Sequence, residues 1–298
     1  MISLAVANSA LILNQLLNGL VYGMLLALIA MGLSLIFGLL DISNFAHGGF
    51  YTLGAYVGYQ IIAVGGCYWI ALPVVGTLIA VLGFVVEPLH RRFYREDPAK
   101  RGLFTLIFSF ALSMVLEEST RWMWGALGKE FYAPAPLNFI MDLGLFTYPA
   151  YRLFVILLGA IITITVWVFL KKTQIGLIIR AGLQNREMVQ ILGIDISKVF
   201  TITYALGVGI AGIAGLAAAP LVGVYPAMGA EILIPAFVVV VVGGMGSFLG
   251  SVISGIIIGE VATIPIIWEP RVSQVAIYVF MAAMLIARPG GLFGEVER

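Results

Sequence analysis

"SALILNQLLNGLVYGMLLALIAMGLSLIFGLLDISNFAHGGF", residues 9–50, carries the decision about this fold. From Ser9 to Leu40 there is no charged residue. A helix of about 20 apolar residues crosses the hydrocarbon of a bilayer and satisfies its own backbone there. This run is longer than one crossing needs, which predicts a tilted or broken span. Then Asp41, Ser43, Asn44, His47 and the pair Gly48–Gly49 bring polarity and backbone freedom together. The stretch reads either as a plain turn between two spans or as a helix break lining a substrate path. Irregular backbone at membrane depth is tolerated only where it is buried in protein or lines a cavity.

The whole chain follows the same pattern. Of its 298 residues, 61% are hydrophobic and 10% charged, against about half and about a quarter in a soluble domain. That excess predicts an integral membrane protein. Apolar runs lie near 9–39, 47–65, 68–86, 103–124, 151–170, 199–222, 231–246, 248–267 and 272–287. The expected fold is therefore all-α and polytopic, with about nine transmembrane helices and a range of eight to ten. The 231–246 run is short and ends in glycine, so it reads as a half-helix. No basic region precedes the first run, which is taken as a retained span rather than a cleaved signal.

Basic residues set the orientation. Segments 87–102 and 171–198 hold ten of the sixteen Lys and Arg residues, so both are predicted to face the cytoplasm. Segment 125–150 has one Lys with several aromatics and prolines and reads as an outside loop. Counting spans puts the C-terminal "RPGGLFGEVER" inside. Residues 9–124 and 199–287 then hold four spans each and begin on opposite sides. Segment 125–198 supplies the outer loop, a linking span and a cytoplasmic loop. This is an inverted repeat within a single domain covering 1–298, an arrangement many transporters share. GxxxG spacing at Gly19/Gly23, Gly54/Gly58, Gly246/Gly250 and Gly255/Gly259 suits close helix contact, though Gly-rich membrane helices also produce it by chance.

Several chemistries are excluded or unsupported. A net charge of +1 gives no footprint for nucleic acid. Cys67 stands alone, so there is no internal disulfide or CxxC centre. His47 and His90 lack metal-ligand spacing. The glycines of "AFVVVVVGGMGSFLGSVISG", residues 236–255, match neither a P-loop nor a dinucleotide fingerprint. They read as a glycine-broken helix pair beside a pore, or as tight helix packing. Gly243, Gly244 and Gly246 are thus pore candidates beside Asn44, His47, Gly48 and Gly49. Glu260 and Glu231 are intramembrane acids, which are functional candidates because lipid exposure is costly. Glu117 and Glu118 have Arg121 at helical spacing and read as a structural ion pair.

In the cytoplasmic loop, Met188, Ile191 and Leu192 share one helical face, with Arg186, Glu187 and Gln190 elsewhere. Asn185 could cap this short helix and Gly193 could end it. Physics alone leaves it either lying on the bilayer or docking on a partner.

Taken in order, Asn44-Phe45-Ala46-His47-Gly48, Arg180-Ala181-Gly182 with Ile191-Leu192-Gly193-Ile194, Gly243-Gly244-Met245-Gly246-Ser247 and Arg288-Pro289-Gly290-Gly291-Leu292 resemble the permease subunits of bacterial ABC importers for branched-chain amino acids. The resemblance spans nearly the whole chain. It implies half of a pore in the bacterial cytoplasmic (inner) membrane, paired with a second permease. It further implies two ATPase subunits that hold ATP and Mg, and an external substrate-binding protein. No cofactor is expected on this chain, and no catalysis. Residues 185–194 would match the coupling helix that seats in an ATPase groove, although the Glu-Ala-Ala that leads this motif in ABC importers is missing. Related permeases carry urea, short amides and aromatic acids, which stand as alternative substrates. A secondary transporter or channel acting alone is the other class, with Glu231 or Glu260 as its ion-coupling candidates.

Overall fold

The computed structural model describes residues 2–40, 43–94, 98–144 and 146–294. Asp41, Arg95 of the 87–102 segment and residues 295–298 of the C-terminal stretch lie outside the described set, as do the side chains of Lys100 and Arg101. Among the described residues the chain forms eleven α-helices: α1 (Ile2–Leu40), α2 (Ala46–Ala63), α3 (Tyr68–Tyr94), α4 (Pro98–Trp124), α5 (Ala150–Lys172), α6 (Gln174–Gln184), α7 (Arg186–Ile191), α8 (Ile196–Val222), α9 (Met228–Gly243), α10 (Phe248–Thr263) and α11 (Pro270–Ala287). The nine apolar runs correspond to nine of these. Seven are long and apolar enough to cross a membrane, and α9 is a shorter apolar helix. The other, α2, carries a buried His47 and Thr52 at its start.

The first run is a single unbroken helix. At 1.5 Å per residue, 39 residues make about 58 Å, so α1 outreaches a hydrocarbon core of about 30 Å. Its central part is the most deeply buried helix surface in the molecule: Leu26 to Met31 are inaccessible to solvent. α1, α2, α8 and α9 therefore make the interior, and α4, α5 and α11 form the periphery with mostly exposed apolar side chains.

Glycine explains how the inner helices come so close. α1 runs antiparallel to α10, with Gly19 against Gly259 and Gly23 against Gly255. The GxxxG pairs of the two halves thus face one another. α8 runs antiparallel to α3 in the same manner, Gly209 meeting Gly76 and Ala205 meeting Gly83. α1 crosses α8 at Gly32 and Gly207, and α2 crosses α9 at Gly48 and Gly229. Exchanging α1–α4 for α8–α11 maps this set of contacts onto itself, as an inverted repeat should. Gly246 and Gly250 behave differently, for Gly250 closes on Gly243 across a turn.

Both basic loops gather at one end. Leu183 of α6 touches Gly38 at the close of α1, Gly182 lies by Leu39 and Ile196, and Glu87 near the basic end of α3 accepts from Thr201 early in α8. The C-terminal tail is at this end too: Leu292 N donates to Val242 O and Phe293 N to Gly243 O. At the other end, the loop after α4 forms a small antiparallel hairpin, β1 (Ile140–Asp142) with β2 (Thr147–Pro149), pairing Met141 with Tyr148. Lys129 bridges to Val224 between α8 and α9.

Candidate functional site

From Asn44 to Gly49 the polar stretch after α1 is largely buried, not a surface turn. Asn44 Nδ2 donates to Tyr204 Oη of α8 at 3.2 Å. Phe45 N donates to Ser109 Oγ of α4, which in turn donates to the Ser43 carbonyl at 3.1 Å. His47 Nε2 donates to the Ile29 carbonyl of α1 at 3.2 Å, leaving Nδ1 without a partner among the described residues. These bonds give part of the freed polarity internal partners, while Asn44 Oδ1, like His47 Nδ1, has none among the described residues. α2 starts level with the middle of α1, since Ile29 lies well inside that helix. α9 starts close beside it, and the first turns of the two helices cross.

That crossing fixes two glycines. A Cβ on Gly48 would lie 2.4 Å from the Gly229 carbonyl oxygen, and one on Gly229 would lie 2.0 Å from the Gly48 oxygen. Gly49 packs on Leu116 of α4. Asn44, His47, Gly48 and Gly49 thus form one buried knot.

Gly243, Gly244 and Gly246 are gathered elsewhere, at the end bearing the basic loops. They make the α9–α10 turn. Gly244 has φ +94° and Gly246 φ +83°, a region that side chains with a Cβ rarely adopt. Ser247 Oγ accepts from Gly250 N at 3.0 Å and caps α10. Residues 290–294 fold over this turn, with Gly294 N 2.4 Å from where a Gly244 Cβ would sit. Two sequence signals far apart in the chain are therefore one interlocked structure.

Glu260 of α10 lies against Gly19 of α1 beside Thr263, and its Oε2 has no hydrogen-bond partner among the described residues. Glu117 and Glu118 both pair with Arg121, at 2.6 and 2.9 Å, in the arrangement expected of a structural ion pair.

Glu231 occupies a different setting. It opens the first turn of α9 and accepts a 2.5 Å hydrogen bond from Tyr225 Oη. Both line a cavity of about 470 Å³ on the flank of the bundle, with Tyr22, Tyr51 and Tyr278. Sequence reading passed over these three tyrosines, because a lone Tyr in an apolar helix looks like core. The available signal was Glu231 itself, an acid with no basic neighbour in sequence.

The 171–198 segment is more helical than expected. α6 precedes the short helix and was not foreseen, because residues 174–184 mix glycine with charge. Asn185 Oδ1 accepts from Met188 N at 2.9 Å, and Gly193 ends α7 with φ +80°, as their positions suggested. Val189 is the anchored residue of α7. Met188, Ile191 and Leu192 are 52%, 77% and 70% exposed. Arg186, Glu187 and Gln190 line a polar cavity of about 560 Å³ with residues of α6 and Phe200. No group of three or more His, Cys, Asp or Glu among the described residues could hold a metal.

The family model for "Branched-chain amino acid transport system / permease component" matches residues 15–288. Among curated proteins, the chain is 26% identical to the high-affinity branched-chain amino acid transport permease BraD of Pseudomonas aeruginosa, over 96% of each chain. It is 27% identical to LivH of Escherichia coli, again over 96% of each. A probable LivH of Methanocaldococcus jannaschii is 26% identical over 81% of this chain and 77% of that one. Of solved structures, "PsaBC from Streptococcus pneumoniae in complex with Fab" aligns over 91% of this chain and 89% of that chain, with a TM-score of 0.46 and 12% identity, a likeness too distant to carry an argument. The match of the family model over residues 15–288 places this chain in the family of permease components of branched-chain amino acid transport systems.

Proposed function

We propose that this chain forms half of the transmembrane pathway of an ATP-driven importer in the bacterial cytoplasmic membrane. Its cargo would be branched-chain or closely related amino acids handed over by an external binding protein. A second, related permease completes the path, and two separate ATPase subunits hold ATP and Mg. The basic end, with α6, α7 and the C-terminal tail, faces the cytoplasm. The hairpin loop and the Cys67 turn face outside. The observation that carries this reading is α7, a capped helix that leaves Met188, Ile191 and Leu192 uncovered at the basic end. Three large apolar side chains on one small helix suit a protein groove.

In this reading Asn44, His47, Gly48, Gly49, Gly243, Gly244, Gly246 and Glu260 serve the pathway from behind. Their contacts are with other helices, so they would set the positions of α2, α9 and α10 rather than touch cargo. Arg186, Glu187 and Gly193 shape the polar side and the end of α7.

The test is reconstitution of the chain with the ATPases, second permease and binding protein that the proposal requires. Labelled leucine, isoleucine or valine should enter proteoliposomes only with ATP and binding protein together. Uptake by this chain alone, driven by an ion gradient, would overturn the proposal in favour of a secondary transporter.

A further inference from the structure

The flank cavity holds chemistry that helix packing does not explain. Tyr51 is only 3% exposed, yet its hydroxyl makes no hydrogen bond among the described residues. Neither do the hydroxyls of Tyr22 and Tyr278. Tyr278 is 43% exposed and none of the three oxygens is sealed off, so all three are open to the cavity as donors. Glu231 is exposed on the same wall, and no basic side chain among the described residues pairs with it. The cavity lies between spans: Tyr22 lies well inside α1, and Tyr278 well inside α11. A carboxyl there faces either lipid, at a high cost, or water and solute. The rest of the lining is aliphatic, including Leu25, Ile232 and Ile277.

We propose that this cavity is a transit subsite for an aliphatic α-amino acid, with Glu231 receiving the ammonium group and the tyrosine hydroxyls the carboxylate. The aliphatic wall accepts the side chain. The assignment of cargo rests on the function proposed above; the preference for an ammonium group does not. Tyr225 holds the Glu231 side chain in place, and the α9 crossing at Gly229 fixes the turn from which it projects. One carboxylate and a few neutral donors make a weak, quickly released site. That suits a path whose affinity is set by another protein.

Two experiments test it. In the first, Ile234→Cys, at an exposed position on the cavity wall, is made in a Cys67→Ser background of the assembled complex. Its reaction rates with a cationic and an anionic methanethiosulfonate are compared, with and without Glu231→Gln. Glu231→Gln should lower the cation-to-anion rate ratio by about threefold or more, because a lined cleft concentrates the opposite charge. An unchanged ratio overturns the subsite whatever the chain carries. In the second, Glu231→Gln keeps an acceptor for Tyr225 and should cut uptake per ATP hydrolysed by about tenfold, the worth of a charge-assisted bond. Vesicles of phosphatidylcholine and phosphatidylglycerol carry no lipid primary amine. A deficit persisting there supports the solute as ligand; one that needs phosphatidylethanolamine would overturn it in favour of a lipid headgroup. Wild-type uptake per ATP in the variant would overturn the proposal. A wild-type complex that moves no ammonium-bearing solute would instead overturn the reading of function, and the labelling ratio alone would then decide the cavity.

Discussion

Gly48 shows what a single residue does in this molecule. It stands where α2 and α9 cross, and the opposing backbone leaves no space for a methyl group. Gly48→Ala should destabilise the chain by about 1–3 kcal/mol, the range for overpacking a tight contact. Gly102→Ala, with nothing within 4 Å of an added Cβ, should be neutral or slightly stabilising through helix propensity. Thermal unfolding of the purified protein in one detergent should separate the two; equal midpoints would mean that the crossing relaxes freely. The presence of glycine at position 48 was legible in the sequence. Its partner was not, because Gly229 lies 181 residues further on and nothing local pairs the two. Asn44 is similar. Its polarity marked it, but only the folded chain brings Tyr204 to it.

Elements were the most legible scale. Nine apolar runs gave nine helices because lipid solvation imposes length and composition on a span. The exceptions have physical causes. α6 was hidden by its mixture of charge and glycine, and the β1–β2 hairpin by strands of only three residues. α7 was legible through its cap and its stop. Two predictions belong to it. Asn185→Ala removes the bond to Met188 N and should cost the helix about 1 kcal/mol. Backbone amides of 186–191 should then exchange with deuterium faster, while those of α8 keep their rates. Leu192→Asp puts a charge on the uncovered apolar face. It should abolish stimulation of ATP hydrolysis by loaded binding protein while the chain still inserts and folds. Full stimulation in that variant would remove α7 from the coupling role.

For the whole molecule, the deciding quantity is which end meets the cytoplasm. Periodicity cannot supply this, since a helix crosses equally well in either direction. Charge offers a prediction, through the Lys and Arg bias of two loops, and the fold adds an independent constraint. Arg91 and Arg92 of α3, the α5–α7 loop and residues 290–294 all occupy one end, so they must share one side of the membrane. Cys67, exposed in the turn between α2 and α3, sits at the other end with the hairpin loop. One native thiol therefore reports the orientation of the entire bundle. In right-side-out vesicles a membrane-impermeant maleimide should label the wild-type chain at Cys67. In a Cys67→Ser background, Lys172→Cys should stay unlabelled until the membrane is opened with detergent. The reverse pattern would invert the molecule, carrying α7 to the outside where no ATPase could reach it. Labelling of both sites in sealed vesicles would be harder on the fold itself, because two ends of one spanning bundle cannot lie on the same side.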